Sequence, residues 1–222
     1  MQSLRARLDA VLESRPLLCH DFYVRWQAGK LEKSELQGYA KEYYSFEQEF
    51  PRFISAVHTK LENADHRRAI LDNLIHEEKG GENHPELWLQ FAEGLDVDRS
   101  EVKGHFHSDE TEFLLRTFRK FASSTNPIEG LASLYAYEKQ QPEVARTKRE
   151  GLRCFYGVDQ PSAVAFFKAH EHYDVEHSDT EADILTQLCQ DEVSRDRAVA
   201  VVEETTKALY EFLDGVQRRY QR

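Results

Sequence analysis

Apolar side chains recur every three or four positions through most of the chain, while β-branched runs are nearly absent. This spacing predicts amphipathic helices, and Pro and Gly are too few to interrupt them often. The pattern predicts roughly eight or nine helices and no convincing strand. Proline is expected to bend two of them, at Pro51 and Pro142. The helices that bear on function are predicted over residues 17–28, 34–61, 65–79, 127–157, 163–178 and 180–190, with a capping box at Ser34 and Gln37 starting the second.

Length and composition favour one all-α domain covering residues 1–222. A chain of 222 residues with 40% hydrophobic content can build one sizeable core. Its apolar runs are too short to span a membrane, and its first residues lack the apolar core of a secretory signal. The three cysteines are widely spaced, as expected of reduced thiols in a cytoplasmic protein. We also expect a homo-oligomer, most simply a dimer.

The charge balance argues against a nucleic-acid partner. The formal net charge is −11, from 29 basic and 40 acidic residues, and no basic stripe is evident. Binding to a phosphate backbone depends on clustered Lys and Arg. The sequence therefore predicts neither a nucleic-acid partner nor a membrane partner.

Polar residues occupy core-facing positions in the segment 163–178. His170, Asp174 and His177 stand at i, i+4 and i+7, so a helix places all three on one stripe. The same stripe contains Phe166 and Phe167 upstream. A buried carboxylate is costly unless it is paired or bound to a cation, which favours a metal site. The alternatives are a hydrogen-bonded polar cluster or a stripe rotated to the surface.

Two more helices show the same irregularity. Glu77 follows the predicted inner face of helix 65–79, around Leu74 and Ile75, and His84 stands seven residues later. The two could belong to one bent helix that serves a shared site, or to a helix end followed by a polar loop. Glu138 takes the next core-facing position after Tyr135 in the helix that begins at Asn126-Pro127.

Together these positions supply three carboxylates and three imidazoles. Mixed oxygen and nitrogen ligands suit iron or manganese, whereas structural zinc sites usually contain thiolate. Six ligands are too many for one ion that keeps an open position. They suit two ions about 3.5–4 Å apart. Two divalent cations would offset three carboxylates and leave one positive charge for a hydroxide. The chain has no Glu-x-x-His pair, so a ferritin-like centre is not expected.

Several motifs of this chain are shared with a known family. They are Phe-Tyr-Val-Arg-Trp (22–26), Tyr-Ala-Lys-Glu-Tyr-Tyr (39–44), Leu-Asp-Asn-Leu-Ile-His-Glu-Glu (71–78), Leu-Tyr-Ala-Tyr-Glu (134–138) and His-x3-Asp-x2-His (170–177). On these motifs the sequence resembles the haem-oxygenase-like dinuclear-metal oxidases, relatives in fold of the PqqC and TenA proteins. The resemblance covers nearly the whole chain and implies a single haem-oxygenase-like helical bundle. The family's metal ligands fall, without departure, on Glu77, His84, Glu138, His170, Asp174 and His177.

The resemblance also implies an activity. Its p-aminobenzoate-forming members serve folate biosynthesis and are self-sacrificing: an Fe/Fe or Mn/Fe pair, molecular oxygen and a reductant oxidise a tyrosine of the same chain. The tyrosine ring becomes the product, a lysine is the expected amino donor, and no external aromatic substrate is needed. The matching positions are Tyr23 and Lys148. From the residues alone, Tyr23 is most simply a core residue, and an alternative for Lys148 is a solvated lysine in the charged run 146–150. Tyr39 and Tyr137 are further candidates for oxidation or radical transfer.

Three other functions fit an all-α chain of this kind. A TenA-like hydrolase would use a cysteine nucleophile, for which Cys154 is the candidate, and needs no metal. A PqqC-like oxidase would also need no metal. Both leave the six ligand-type residues unexplained. A non-enzymatic helical binding protein is the third, and it predicts that Glu77→Ala and His170→Ala would leave activity in cells intact.

Overall fold

The computed structural model describes residues 2–81 and 83–221, and within them the chain is helical, without a strand. A short 3₁₀ turn at Leu17–Cys19 precedes the second helix, and a π-helical turn at Leu152–Tyr156 follows the ninth. The α-helices of this part of the chain are α1 (Leu4–Ser14), α2 (Asp21–Gln27), α3 (Lys33–His58), α4 (Ala64–Glu78), α5 (His84–Gly94), α6 (Arg99–Lys103), α7 (Asp109–Ala122), α8 (Pro127–Glu138), α9 (Gln141–Gly151), α10 (Pro161–Leu188) and α11 (Glu192–Tyr220).

Helix α8 lies at the centre of the bundle. Every residue from Gly130 to Glu138 is buried, as expected of a helix that is apolar on all sides. It packs against α3, α7, α10 and α11, and α10 in turn packs against α4, α5 and α9. The two long helices α10 and α11 therefore enclose α8, and any polar side chain at the end of α8 is kept from water.

Helix α3 begins earlier than predicted and for a different reason. Its N-cap is Glu32, not Ser34, and the side chain of Glu35 accepts a hydrogen bond of 2.8 Å from the backbone N–H of Glu32. Arg25 donates to both oxygens of the same Glu35 carboxylate, at 2.7 and 2.9 Å. The ion pair from Arg25 orients the buried Glu35 carboxylate, whereas Gln37 of the predicted capping box donates to the carbonyl of Leu95. Pro51 lies inside α3, as the sequence predicted.

The predicted continuous helix over 127–157 is wrong, because the chain breaks at Lys139–Gln140. Pro142 stands in the first turn of α9, where its missing N–H removes no ladder bond. In a continuous helix its ring would press against the carbonyl group of residue 138. The break makes Glu138 the last residue of α8 and gives α9 a direction of its own.

The two helices predicted over 163–178 and 180–190 are one helix, α10. The segment from Ala163 to Leu188 contains neither Gly nor Pro, so nothing in it ends the helix. The stripe that begins at His170 consequently continues past His177 to the buried Glu181.

Two compositional predictions can be compared with the structure directly. All three cysteines are free thiols, and of these only Cys189 is buried. Cys154 lies exposed in the π-helical turn. Across the described residues, the helices are each too short or too polar to cross a bilayer.

Candidate metal centre

Four helices bring the six predicted ligands to one place between α4, α5, α8 and α10. Glu77 lies in the last turn of α4, His84 is the first residue of α5, and Glu138 ends α8. His170, Asp174 and His177 line one stripe of α10. All six side chains are buried.

The six residues form two groups of three. Glu77, His84 and His170 each offer a ligand atom within 4.8 Å of the others. Glu138, Asp174 and His177 do the same in a second group, again within 4.8 Å. Within the first group, His84 Nδ1 lies 2.7 Å from Glu77 Oε2. Within the second, His177 Nδ1 lies 3.6 Å from Asp174 Oδ1.

Except at Glu138, potential donor atoms of the six ligands lack hydrogen-bond partners, which is the property expected of metal ligands. Buried polar atoms are almost always paired, so a cluster of unpaired ones requires an explanation. Among the ligands, the atoms that make no hydrogen bond are both oxygens of Glu77, both oxygens of Asp174, His84 Nδ1, His170 Nε2 and His177 Nδ1. The 2.7 Å contact of His84 Nδ1 with Glu77 Oε2 lacks hydrogen-bond geometry. This donor set of oxygens and imidazole nitrogens fits two divalent cations.

The other polar atoms of the ligands are held by neighbouring groups. His170 Nδ1 lies 3.0 Å from the backbone carbonyl of Phe166, so it donates there and leaves Nε2 as the free acceptor. His76 Nδ1 and His177 Nε2 share a hydrogen bond of 3.0 Å. Asn73 donates to both oxygens of Glu138, at 2.9 and 3.2 Å. Bonds of this kind fix the tautomer and orientation of metal-binding side chains.

Without cations the buried charges perturb one another. Burial and the neighbouring carboxylates raise the pKa of Asp174 well above its usual range, and burial raises that of Glu138. Burial and the charge of His84 lower the pKa of His170 well below its usual value. Burial also lowers the pKa of His84, but the nearby Glu77 carboxylate has the larger effect, so the pKa of His84 is raised overall. Burial is the main cause of both carboxylate shifts, and neighbouring carboxylates add to it; bound cations would favour the charged forms instead.

The buried face of α4 differs from the predicted one. Leu71 and Ile75 are exposed, and Leu74 is only half-buried. The buried stripe consists instead of His66, Ile70, Asn73 and Glu77, at i, i+4, i+7 and i+11. The sequence argument placed Glu77 inside because it follows Leu74 and Ile75. Glu77 is inside, but because it lies in line with Asn73 and Ile70.

Glu77 and His84 come from two helices and not from one bent helix. Helix α4 ends at Glu78, and Gly80 adopts a positive φ of 93° in the turn that follows. Asn83 then caps α5 by accepting a hydrogen bond from the N–H of Glu86. A turn and a polar loop were one of the two predicted alternatives. The turn brings both side chains to the same site.

A lysine lies next to the centre in an aromatic enclosure. Lys148 is 2% exposed, which excludes the solvated alternative. Its Nζ donates a 2.6 Å hydrogen bond to Tyr39 Oη. The same Nζ lies 4.9 Å from the centroid of the Tyr23 ring and 5.4 Å from that of Tyr43. Burial lowers the pKa of Lys148 to about 7, so a large part of its amine is neutral near neutral pH.

Tyrosine hydroxyls connect this enclosure to the centre. Tyr23 and Tyr39 share a hydrogen bond of 3.2 Å, and the Tyr39 ring stacks on that of Tyr43 with centroids 5.4 Å apart. Tyr43 and Tyr137 share a bond of 2.6 Å, and Tyr137 donates to Glu47 Oε1 at 3.1 Å. Burial and the charge of Glu77 raise the pKa of Glu47 to about 8. Glu47 therefore links the tyrosines electrostatically to the first ligand group.

Sequence reasoning missed four polar residues of the site. They are Glu47, Asn73, His76 and Glu181. Two of them carried a usable signal: Glu47 lies on the apolar stripe of Tyr43, Phe50 and Ile54, and Glu181 continues the His170–His177 stripe by one turn. Asn73 and His76 carried none, because their roles depend on the helices opposite.

Comparison with known proteins assigns the chain to a family. The model of the TENA/THI-4/PQQC family matches residues 5–220. The chain belongs to that family. As a member of the TENA/THI-4/PQQC family it is similar to the 4-aminobenzoate synthase of Chlamydia trachomatis serovar D, at 37% identity over 94% of this chain and 90% of the relative. It is also similar to the 4-aminobenzoate synthase of Nitrosomonas europaea, at 35% identity over 98% of this chain and 92% of the relative.

Solved structures agree on the fold. A domain from Shewanella denitrificans OS217 with a heme oxygenase-like fold has a TM-score of 0.78 at 21% identity, over 98% of this chain and 90% of that one. The predicted all-α, haem-oxygenase-like bundle is thus confirmed for this member of the TENA/THI-4/PQQC family.

Proposed function

We propose that this protein is an enzyme that makes p-aminobenzoate, using its own Tyr23 as the source of the ring and Lys148 as the source of the amino group. The product carries nitrogen para to its carboxyl carbon. Tyrosine carries oxygen para to its β-carbon. Excision therefore breaks the Cα–Cβ bond of Tyr23 and oxidises the β-carbon to the carboxyl group, with molecular oxygen as the oxidant. The ring oxygen leaves as water and the nitrogen replaces it when the Cε–Nζ bond of Lys148 breaks, while the main chain stays intact. Relatives at 35–37% identity bear the name 4-aminobenzoate synthase, which supports this product.

The observation that carries the proposal is the buried contact between the two residues. Lys148 Nζ stands 4.9 Å from the centroid of the Tyr23 ring, inside a core that excludes water from both. A lysine amine is a nucleophile only in its neutral form, and the pKa of about 7 makes that form available. An ordinary core offers no reason to bury a lysine with one hydrogen bond.

Tyr39 holds the two reacting groups in place. Its hydroxyl accepts from Lys148 and shares a second hydrogen bond with Tyr23, at 2.6 and 3.2 Å. Burial raises the pKa of Tyr23 above that of an exposed tyrosine, so its phenol keeps its proton until it is oxidised. Tyr39 also stands between both groups and can pass that proton toward Lys148.

The metal centre would be held by the two groups of three ligands. When bound, an Fe/Fe or Mn/Fe pair would activate molecular oxygen, with electrons from an external reductant. Glu47 and Tyr137 lie between the first ligand group and the tyrosines. Through the bond from Tyr137 to Glu47 they can accept a proton from Tyr43 as the aromatic residues are oxidised.

The test is a single-turnover reaction on labelled protein. Protein containing ¹³C-tyrosine is loaded with Fe(II), alone or with Mn(II), without oxygen, and is then exposed to oxygen and a reductant. We expect labelled p-aminobenzoate by mass spectrometry, no more than one per chain. We also expect a peptide that contains residue 23 to lose the mass of the tyrosine side chain. A second sample labelled with ¹⁵N-lysine reports the origin of the nitrogen.

Matched tyrosine variants separate chemistry from folding. Tyr23→Phe removes the phenol that is to be oxidised and should abolish product. Tyr44→Phe removes the hydroxyl of another buried tyrosine on the same helix as Tyr39, and should leave product yield unchanged. Unlabelled product, or product from Tyr23→Phe, would reject the self-sacrificing reaction and leave an oxidase acting on an external substrate. Absence of product under every metal and reductant condition would reject the activity itself.

A further inference from the structure

Glu181 is a buried carboxylate without a partner at the edge of the metal centre. It stands one turn after His177 on α10, at the fourth position of the stripe that contains His170 and Asp174. Its side chain is fully buried, and neither of its oxygens has a hydrogen-bond partner. Within residues 2–81 and 83–221, no lysine or arginine pairs with it. Glu47 differs in this respect because one of its oxygens accepts a hydrogen bond from Tyr137.

The Glu181 carboxylate contacts the carboxylate of Glu138. The two side chains are close enough that each shifts the pKa of the other, although neither oxygen of Glu181 makes a hydrogen bond. Two carboxylate groups approach in a dry interior only if a proton or a cation lies between them. Asn73 already donates to both oxygens of Glu138, so the remaining lone pairs of Glu138 point elsewhere.

We propose that Glu181 is a further carboxylate ligand of the cation held by Glu138, Asp174 and His177. The charge count supports this role. Glu77, Glu138, Asp174 and Glu181 carry four negative charges, which two divalent cations neutralise without a further anion. The inference rests on the metal centre of the proposed function and extends it.

The additional carboxylate makes the two halves of the centre chemically different. The first group has one carboxylate and two imidazoles, and the second has two carboxylates and one imidazole. With Glu181 the second group would have three carboxylates. Oxygen-rich sites suit Mn²⁺, and imidazole-rich sites suit Fe²⁺. We therefore expect the second group to take Mn²⁺ in preference to softer ions, and to lose that preference without Glu181.

The test counts bound Mn²⁺ in wild-type and variant chains. Chelator-treated protein is dialysed anaerobically against Mn²⁺, and bound metal is measured by mass spectrometry. Wild type should bind two ions per chain, whereas Glu181→Gln should bind the second about tenfold or more weakly. Asp183→Asn is the matched control, since it removes an exposed carboxylate from the same helix, and it should bind two ions as wild type does.

The glutamine variant also decides between a cation and a shared proton. Its amide can donate to Glu138 as a protonated carboxyl group would, but it carries no charge. Two ions bound as tightly by Glu181→Gln as by wild type would therefore overturn the proposal. If the variant fails to fold, anomalous diffraction from Mn²⁺-grown crystals of wild type decides instead. A Glu181 oxygen should lie at bonding distance from the ion, about 2.0–2.6 Å, and a longer distance overturns the assignment.

The outcomes for Glu181 and for the proposed function are distinguishable. A wild-type chain that binds no metal rejects both. A chain that binds two ions and makes p-aminobenzoate, and whose Glu181→Gln variant also binds two, rejects only the role of Glu181. Two ions with no product reject the proposed reaction, while the metal count still tests Glu181.

Discussion

Replacing Lys148 by methionine should make the protein more stable while it abolishes p-aminobenzoate formation. Methionine has a similar length and no charge, so it fills the same space in the aromatic enclosure. In the wild type, burial lowers the pKa of Lys148 from 10.5 to about 7. The unfolded chain therefore binds a proton that the folded chain holds only weakly, and this opposes folding below pH 10.5.

The size of the effect follows from those two pKa values. At about 1.4 kcal/mol per pKa unit, the lysine destabilises the folded state by about 4 kcal/mol at pH 7 and about 2 kcal/mol at pH 9. The sign is fixed because the folded pKa is the lower one. The free energy of unfolding of the wild type therefore rises, through Lys148, as the pH increases from about 7 to 10.5. Loss of the hydrogen bond from Lys148 to Tyr39 offsets about 1 kcal/mol of the gain at either pH.

Urea unfolding of both proteins at pH 7 and pH 9 measures the difference. We expect Lys148→Met to be more stable by about 3 kcal/mol at pH 7 and by about 1 kcal/mol at pH 9. Lys168→Met, at an exposed position on α10, is the control and should change stability by less than about 0.5 kcal/mol at both. A destabilised methionine variant, or a gain independent of pH, would show that the amine is not held at a lowered pKa.

Three further predictions follow from the site and from the core. Chelation of both metals should lower the melting temperature by about 10–20 °C in calorimetry, if each is bound at a hundred times its Kd. His76→Ala should weaken metal affinity about 10–100-fold in a chelator competition, because His76 orients His177. Burial opposes the charge of Glu42, but His105 and Thr111 outweigh it and lower its pKa to about 2. The charged Glu42 therefore stabilises the folded state by about 3 kcal/mol above pH 4.5, and this contribution is lost as the pH falls toward 2. In acid unfolding, the Glu42→Gln variant should lack this pH-dependent loss of stability.

Most of the helices could be predicted because helical spacing indicates them, whereas the haem-oxygenase-like arrangement was implied by the resemblance to a known family. The errors arose where tertiary contacts decide. The face of α4 could not be assigned from Leu71 and Ile75, since an apolar residue on a short helix can be exposed at little cost. The break before α9 was within reach of the sequence, because Pro142 excludes a continuous ladder through residue 138. The predicted dimer stays a prediction.

The candidate ligands could be predicted for a different reason. A carboxylate or imidazole in line with buried phenylalanines is anomalous on its own helix, and the anomaly is visible without the partners. Lys148 shows the limit of this logic. On a continuous helix it lies well away from the stripe of Glu138, and its neighbours in sequence are charged. Only the new direction of α9 after residue 140 carries its amine to Tyr39 and Tyr23.

The closed core gives a physical reason for a reaction on the chain itself. The cavity beside the centre, of about 100 Å³, is lined by Asn73, His76 and His177, and neither Tyr23 nor Lys148 reaches it. The ring of Tyr23 packs against Phe22 and Trp26 at 5.7 and 6.5 Å between centroids, so its excision would leave a void. Removing a buried aromatic side chain costs about 3–5 kcal/mol. Two cations held at a hundred times their Kd contribute about 5 kcal/mol. Under the proposed function, the metals that drive the oxidation also keep the spent chain folded.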